Sequence, residues 1–179
     1  MIIKTFFSGF GGQGVLMMGI SLANSAMNKG YHVTYLPAYG AEMRGGTANC
    51  TVAIGDEEIA SPVSSEPDYL IVMNSPSLFT FQNKITSDGT IFLNSSIIND
   101  RPKRQDVKVV CVPCADIALE LGNSRVANII MMGAFIEVSD IVSSEIYLKS
   151  LEAIMGSRKK ALAEIKDKAF AAGYDYVKA

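Results

Sequence analysis

Four glycines crowd into Ser8-Gly9-Phe10-Gly11-Gly12-Gln13-Gly14, between an apolar run, Ile2 to Phe7, and a long helical pattern, Val15 to Asn28. Glycines at Gly9, Gly11, Gly12 and Gly14 remove every Cβ that would hold a ligand or another backbone at a distance. They also permit the φ > 0 conformations of a tight strand-to-helix turn. The free N–H groups of the following helix, with the positive end of its dipole behind them, suit a phosphate or pyrophosphate.

Two nucleotide-binding patterns can be checked against this stretch. Gly9, Gly11 and Gly14 satisfy G-x-G-x-x-G in the strand-to-helix setting it requires. A dinucleotide site also wants an acid at the end of the second strand, about 20 residues on, and that region reads Val33-Thr34-Tyr35-Leu36-Pro37, with no carboxylate before Glu42. No Gly-Lys-Ser/Thr follows the glycines, so a P-loop is excluded. A phosphate site and a purely structural tight turn both stay open.

A second unusual stretch is Glu42-Met43-Arg44-Gly45-Gly46, preceded by Tyr39-Gly40-Ala41. Arg44 is a permanent planar cation suited to carboxylate or phosphate, and the glycines beside it let a partner come close. The alternative is a solvated Glu42–Arg44 pair on a loop. Cys111-Val112-Pro113-Cys114 has redox spacing but falls at the end of an expected strand, where small buried hydrophobes are the better reading. Cys50 and the single His32 do not complete a ligand set for zinc or an iron–sulfur cluster. Neither a catalytic residue nor a metal ligand is expected here.

The elements that must position these residues follow from periodicity. Strands are expected over Ile2–Phe7, His32–Leu36 (stopped by Pro37), Thr47–Ile54, Tyr69–Met73, Thr90–Leu93 and Val107–Val112. Gly55-Asp56-Glu57-Glu58 is expected to turn the third strand into a hairpin with a short Ile59-Ala60 strand. Helices are expected at Val15–Asn28, from Pro76 through Phe81, Asp116–Leu121, Val126–Val138, a segment capped by Ser143-Ser144-Glu145, and Arg158–Ala172 with a Glu164–Lys168 pair on its wet side. The helices at Val15 and Val126 are apolar almost all round, the latter with Asn128 as a buried-looking polar residue. They call for central burial or cover by a partner. Strands alternating with helices indicate a three-layer α/β/α sandwich, with a mainly parallel sheet, an antiparallel hairpin and a helical C-terminal third.

The 179 residues fit one domain, residues 1–179. Apolar residues make up 49% and charged residues 19%, and the net charge of −2 with no basic stripe argues against nucleic acid as a partner. No apolar run reaches the length of a membrane span and the N-terminal run does not read as a signal peptide. Three cysteines without disulfide spacing fit a reducing cytoplasm.

Taken together, Gly9-Phe10-Gly11-Gly12-Gln13-Gly14, the block Tyr39 to Asn49, Met73-Asn74-Ser75-Pro76-Ser77, and Arg125-Val126-Ala127-Asn128 through Met132-Gly133-Ala134 resemble the gamma subunit of 2-oxoacid:ferredoxin (acceptor) oxidoreductases over nearly the whole chain. The 2-oxoglutarate type, 2-oxoglutarate synthase, looks most similar, with a pyruvate or branched-chain type as the alternative. A free-standing Rossmann-like nucleotide-binding protein is the rival from another class. The resemblance implies a complex that decarboxylates a 2-oxoacid oxidatively with coenzyme A, 2-oxoglutarate giving succinyl-CoA, and passes electrons to ferredoxin or a similar acceptor. Thiamine diphosphate and iron–sulfur clusters would then sit on partner subunits, with no cofactor expected on the isolated chain. Coenzyme A would be bound at a shared site to which Gly9, Gly11, Gly12, Gln13, Gly14, Glu42, Arg44, Gly45, Gly46, Thr47, Asn49 and Asn74 contribute.

Overall fold

The structure, a computed structural model, describes residues 1–39, 46–156 and 160–179. Among them, β1 (Ile2–Phe10), β2 (His32–Tyr39), β3 (Thr47–Gly55), β4 (Tyr69–Val72), β5 (Thr90–Asn94) and β6 (Lys108–Val112) form one sheet in the order β2-β3-β1-β4-β5-β6. The β1-β4-β5-β6 half is parallel, and β3 runs antiparallel to both β1 and β2. The mainly parallel α/β/α architecture with an antiparallel hairpin is therefore as the strand and helix pattern indicated.

The two faces are covered unequally. Helices α1 (Val15–Asn28), α3 (Cys114–Glu120), α4 (Ala127–Ser139), α5 (Ser144–Met155) and α6 (Lys160–Lys178) gather on one face over a large core that includes Phe7, Ile71, Phe92 and Val112. Among the described residues, only α2 (Ser75–Phe81) and connecting segments cover the other, where Phe6, Leu70, Val72, Ile91 and Leu93 pack. The split follows from the period-2 pleat: Phe6 and Phe7, or Phe92 and Leu93, point to opposite cores.

α4 explains its own composition. Ile129 through Ile136 are buried, and Phe135 sets its ring edge against Phe7 and Phe92 on the sheet, with centroids 6.1 and 5.5 Å away. α6 packs on the outer side of the same helix. α1 packs against β2, β3, α4 and α5, and the Ser21 hydroxyl meets the Tyr147 hydroxyl at 2.9 Å in the interior. Central burial accounts for α4, whereas α1 keeps Leu16, Met17 and Ile20 half-buried and Met27 exposed, so the chain itself encloses only part of its apolar surface.

Several boundaries differ from expectation for physical reasons. β1 runs on to Phe10 because β3 pairs with it as far as Phe10–Thr47. β2 passes through Pro37, tolerated because β2 is the outermost strand of the sheet and need not donate on both sides. Ile59-Ala60 is not a strand: β3 already has a neighbour on each edge, so the hairpin is β2–β3 instead. α6 extends past Ala172 to Lys178. Glu164 and Lys168 form no ion pair; the buried Lys166 bonds Asp167 at 2.8 Å.

Candidate functional site

The chain's most site-like geometry lies at the C-terminal ends of the parallel strands. α1 leaves β1 towards one face and α2 leaves β4 towards the other, so the segments that follow the neighbouring, still-paired strands β1 and β4 part there to either side of a crevice. Open α/β sheets bind ligands at such a switch point.

Gln13 spans this crevice. Its Oε1 accepts the Phe10 N–H at 2.7 Å, and its Nε2 donates to the Met73 carbonyl at 3.1 Å. Asn74 Nδ2 reaches the same Oε1 at 3.5 Å, while Asn74 Oδ1 accepts from Ser77 N–H at 2.9 Å and caps α2. The Met73 N–H donates to the Ser8 carbonyl at 2.9 Å. The glycine turn is thus fastened to the end of β4 by two side-chain amides, each employed in holding the protein itself.

The glycines divide by role. An added Cβ on Gly9 would lie 2.6 Å from Gln13 Oε1 and 2.9 Å from Met73 Cβ, so Gly9 allows the turn to close on β4. Gly14, at φ 74°, begins α1 with no side-chain cap and lies hard against the Asn128 amide. Gly12, at φ 97°, faces open space. The Gly11 N–H donates to the Gly46 carbonyl at 3.0 Å, which brings the start of β3 alongside.

Nine of the expected residues therefore meet at one end of the sheet: Gly9, Gly11, Gly12, Gln13, Gly14, Gly46, Thr47, Asn49 and Asn74. Thr47 pairs with Phe10 and is exposed; Asn49 pairs with Ser8 and is half-buried. Glu42, Arg44 and Gly45 lie outside the described residues. Their segment is bounded by Tyr39 and by Gly46, the latter bonded to the turn. What the residue types did not reveal is the contribution of the turn before α4. Ser124, Arg125 and Asn128 approach Gly12 and Gln13 from the α4 side, together with Asn94 at the end of β5, around a cavity of about 200 Å³.

The cysteines do not form a working pair. Cys114 begins α3 within the large core, whereas Cys111 faces the smaller core and accepts from the Arg101 guanidinium. Cys50 is buried beneath α1, and burial pushes its thiol up to about 12. Burial pushes the Cys114 thiol up as well. Among the described residues no group of three or more His, Cys, Asp or Glu is placed to hold a metal ion, and cysteines on opposite faces do not fit an iron–sulfur cluster. A thiol reagent at pH 8 is expected to modify one cysteine per native chain, Cys111, with Cys50 and Cys114 reacting only after denaturation. Peptide mapping of the labelled protein checks this, and fast native labelling of Cys114 would contradict it.

The strand order also disposes of a self-contained dinucleotide site. In that fold the second strand lies parallel and next to the first. Here β3 is inserted between them, placing β2 two strand spacings, about 10 Å, from β1. The family model described as pyruvate ferredoxin/flavodoxin oxidoreductase, by contrast, matches residues 4–176. The chain belongs to this family.

Its relatives in this family include named subunits of 2-oxoacid oxidoreductases. Ketoisovalerate oxidoreductase subunit VorA of Methanothermobacter marburgensis is 35% identical over 176 residues, which cover 98% of this chain but only 37% of VorA. 2-Oxoglutarate synthase subunit KorC of the same organism is 32% identical over 177 residues, covering 95% of this chain and 94% of KorC. A keto/oxoacid ferredoxin oxidoreductase gamma subunit from Geobacter sulfurreducens superposes with a TM-score of 0.83 at 24% identity, with 99% of each chain covered. A chain of 2-oxoglutarate:ferredoxin oxidoreductase from Magnetococcus marinus, of which this one covers 31%, gives 0.90 at 20% identity, with 99% of this chain covered. At those identities the two structures establish the fold. No helix among the described residues is long and apolar enough to cross a membrane.

Proposed function

We propose that this chain is the gamma component of a coenzyme A-dependent 2-oxoacid oxidoreductase, and that its glycine turn forms one wall of a site completed by other subunits. The observation that carries this is the crevice itself. Gln13 and Asn74 fix its floor, and Gly12 leaves its mouth unobstructed. The arrangement favours binding and positioning over bond-making, because among the described residues the side chains that span it, Gln13 and Asn74, are amides with no acid–base group. In this reading Gln13 and Asn74 are positioning residues, and Arg44 with the turn's backbone meets the phosphates of coenzyme A. Thiamine diphosphate, the clusters and electron transfer to ferredoxin belong to the partners, in a cytoplasmic complex.

A branched-chain 2-oxoacid is the substrate we favour over the 2-oxoglutarate first expected. The VorA relatives are 35% and 40% identical to this chain, against 32% and 33% for KorC of the two Methanothermobacter species. The test is dye reduction by the reconstituted complex with 2-ketoisovalerate, 2-oxoglutarate and pyruvate. We expect the highest kcat/KM with 2-ketoisovalerate, and a higher value with 2-oxoglutarate would overturn that choice. In the same assay Arg44→Ala is expected to raise the KM for coenzyme A about tenfold or more, as the loss of one charge-assisted contact implies, with the 2-oxoacid KM unchanged. An unmoved coenzyme A KM removes Arg44 from the site.

A further inference from the structure

β2 is the outermost strand of the sheet, and among the described residues no strand lies beyond it. The ladder shows which of its backbone groups face outward. The Met73 N–H donates to the Ser8 carbonyl, so the even-numbered residues of β1 bond β4 and the odd-numbered ones bond β3. Carried through the Phe7–Cys50 and Pro37–Cys50 registers, this alternation turns the even-numbered residues of β2 towards β3. The odd-numbered ones, Val33, Pro37 and Tyr39 among them, face away from the sheet. Pro37, with no N–H to give, sits in the row where none is needed.

Exposed edges are commonly guarded by charge. This one is not: from Val15 to Tyr39, across α1 and β2, Lys29 is the only Lys, Arg, Asp or Glu, in a chain that is 19% charged. The Lys29 ammonium is held just past the end of α4, where it donates to the Ile141 carbonyl at 2.8 Å and lies 5.3 Å from the centre of the Tyr31 ring. α1 adds an apolar stripe. Leu16, Ile20 and Met27 fall on one side of the helix, apart from Ser21 and Asn28, which meet Tyr147 and Ser150 of α5. β2 and β3 lie beneath α1, with α4 and α5 beside it, so the stripe points out over the β2 edge, where Met27 is 59% exposed. On the other face of β2, Leu36 is 40% exposed and continues the apolar surface.

An uncharged side with an open strand edge fits a second copy of this chain. A two-fold contact sets a patch against itself, so a charged patch repels its copy and this one does not. A second β2 also brings the matching outward row. We infer that the β2 edge and the α1 stripe form a self-association surface, on which two copies pair β2 antiparallel about a two-fold axis at Leu36. In that register Val33 of each copy and Tyr39 of the other exchange N–H···O bonds, and the two sheets become one. The faces stay in common, so α1 lies alongside its counterpart while the two Leu36 side chains meet on the opposite face. The edge is about 26 Å long, at about 3.3 Å for each of the 8 residues of β2. With the α1 stripe above it, the side is on the scale of the roughly 800 Å² per partner of a stable interface. The crevice between β1 and β4 lies two strand positions in from the joint and stays open, so the dimer does not depend on the function proposed above.

Sedimentation equilibrium of the purified full chain tests this, and twice the chain mass is expected at micromolar concentration. Leu36→Lys and Leu36→Glu should each weaken the dimer about tenfold or more, because like charges then face each other across the axis. An equimolar mixture of the two variants should recover it, since Lys then meets Glu, a result that damage to the fold cannot give. Met27→Glu should weaken the dimer as well. Leu119→Lys, at an exposed apolar residue of α3, should leave the mass unchanged. Three results would each overturn the assignment: a wild-type chain still monomeric at about 100 µM, a dimer indifferent to Leu36→Lys, or a mixture no tighter than either variant alone. The first of these would point to a different protein as the occupant of the edge.

Discussion

Gly173→Ala is expected to destabilise the folded chain by about 3 kcal/mol, at the upper end of the usual cost of overpacking a core. Helix propensity alone gives the opposite sign, because replacing glycine by alanine inside a helix ordinarily gains about 1 kcal/mol. The contact decides. A Cβ on Gly173 would sit inside the van der Waals envelope of the Ile130 carbonyl oxygen and 2.7 Å from its carbon. The obstruction is backbone, and no rotamer change relieves it. Gly133 on α4 is the reciprocal half: its Cβ would strike the Phe170 carbonyl and lie 2.9 Å from the Tyr174 nitrogen. α4 and α6 therefore touch main chain to main chain, and one methyl on either side forces them apart along the length that buries Ala169 and Phe170. At roughly 2–4 °C per kcal/mol for a chain of this size, thermal unfolding should fall by about 6–12 °C. A midpoint that is unchanged or raised would show that α6 does not lie where described.

That pair of glycines also marks where the sequence stops being readable. Repeated short apolar strands and the glycine turn indicate an α/β sandwich, because a strand buried on both faces and a strand-to-helix bend each have a local signature. The crossing of α4 and α6 has none. Gly173 reads as a helix end, since its reason for being glycine lies 43 residues away at Ile130, and so α6 extends beyond the expected stop. Ile59-Ala60 fails in the same way, because whether a β-prone pair becomes a strand depends on a free sheet edge, and β1 and β2 already occupy both edges of β3. In the site, residue type pointed correctly to the crowding of Gly9 to Gly14 but not to what each does. Gln13 and Asn74, which as amides could have served a ligand, are bonded to the chain's own backbone. Arg125, quoted only as part of a resembling block, and Asn94 were given no role because they matter only through a cavity assembled from five separate segments.

Gly9→Ala is the substitution expected to damage the crevice most, with a cost of about 2 kcal/mol from overpacking. Gly12→Ala is its informative neighbour. Both replace a turn glycine, but the penalties differ in kind. At Gly12 the methyl meets nothing, and the cost is the φ of 97°, a strain of about 1–3 kcal/mol. At Gly9 the methyl would lie 2.6 Å from Gln13 Oε1 and 2.8 Å from a Val15 methyl, so Gln13 is driven from its place between Phe10 and Met73. Two measurements separate these effects. The Phe10 amide, which donates to Gln13, should lose hydrogen-exchange protection in Gly9→Ala and keep it in Gly12→Ala. In a double-mutant cycle, Gly9→Ala should cost less in a Gln13→Ala background than in the wild type, because part of the clash has gone. The residue against Val15 and Met73 should persist, so the coupling is expected to recover only part of the cost. Additive costs with an undisturbed Phe10 amide would mean that the turn closes without Gln13, and the crevice floor would then have to be assigned to the Met73–Ser8 backbone bond alone.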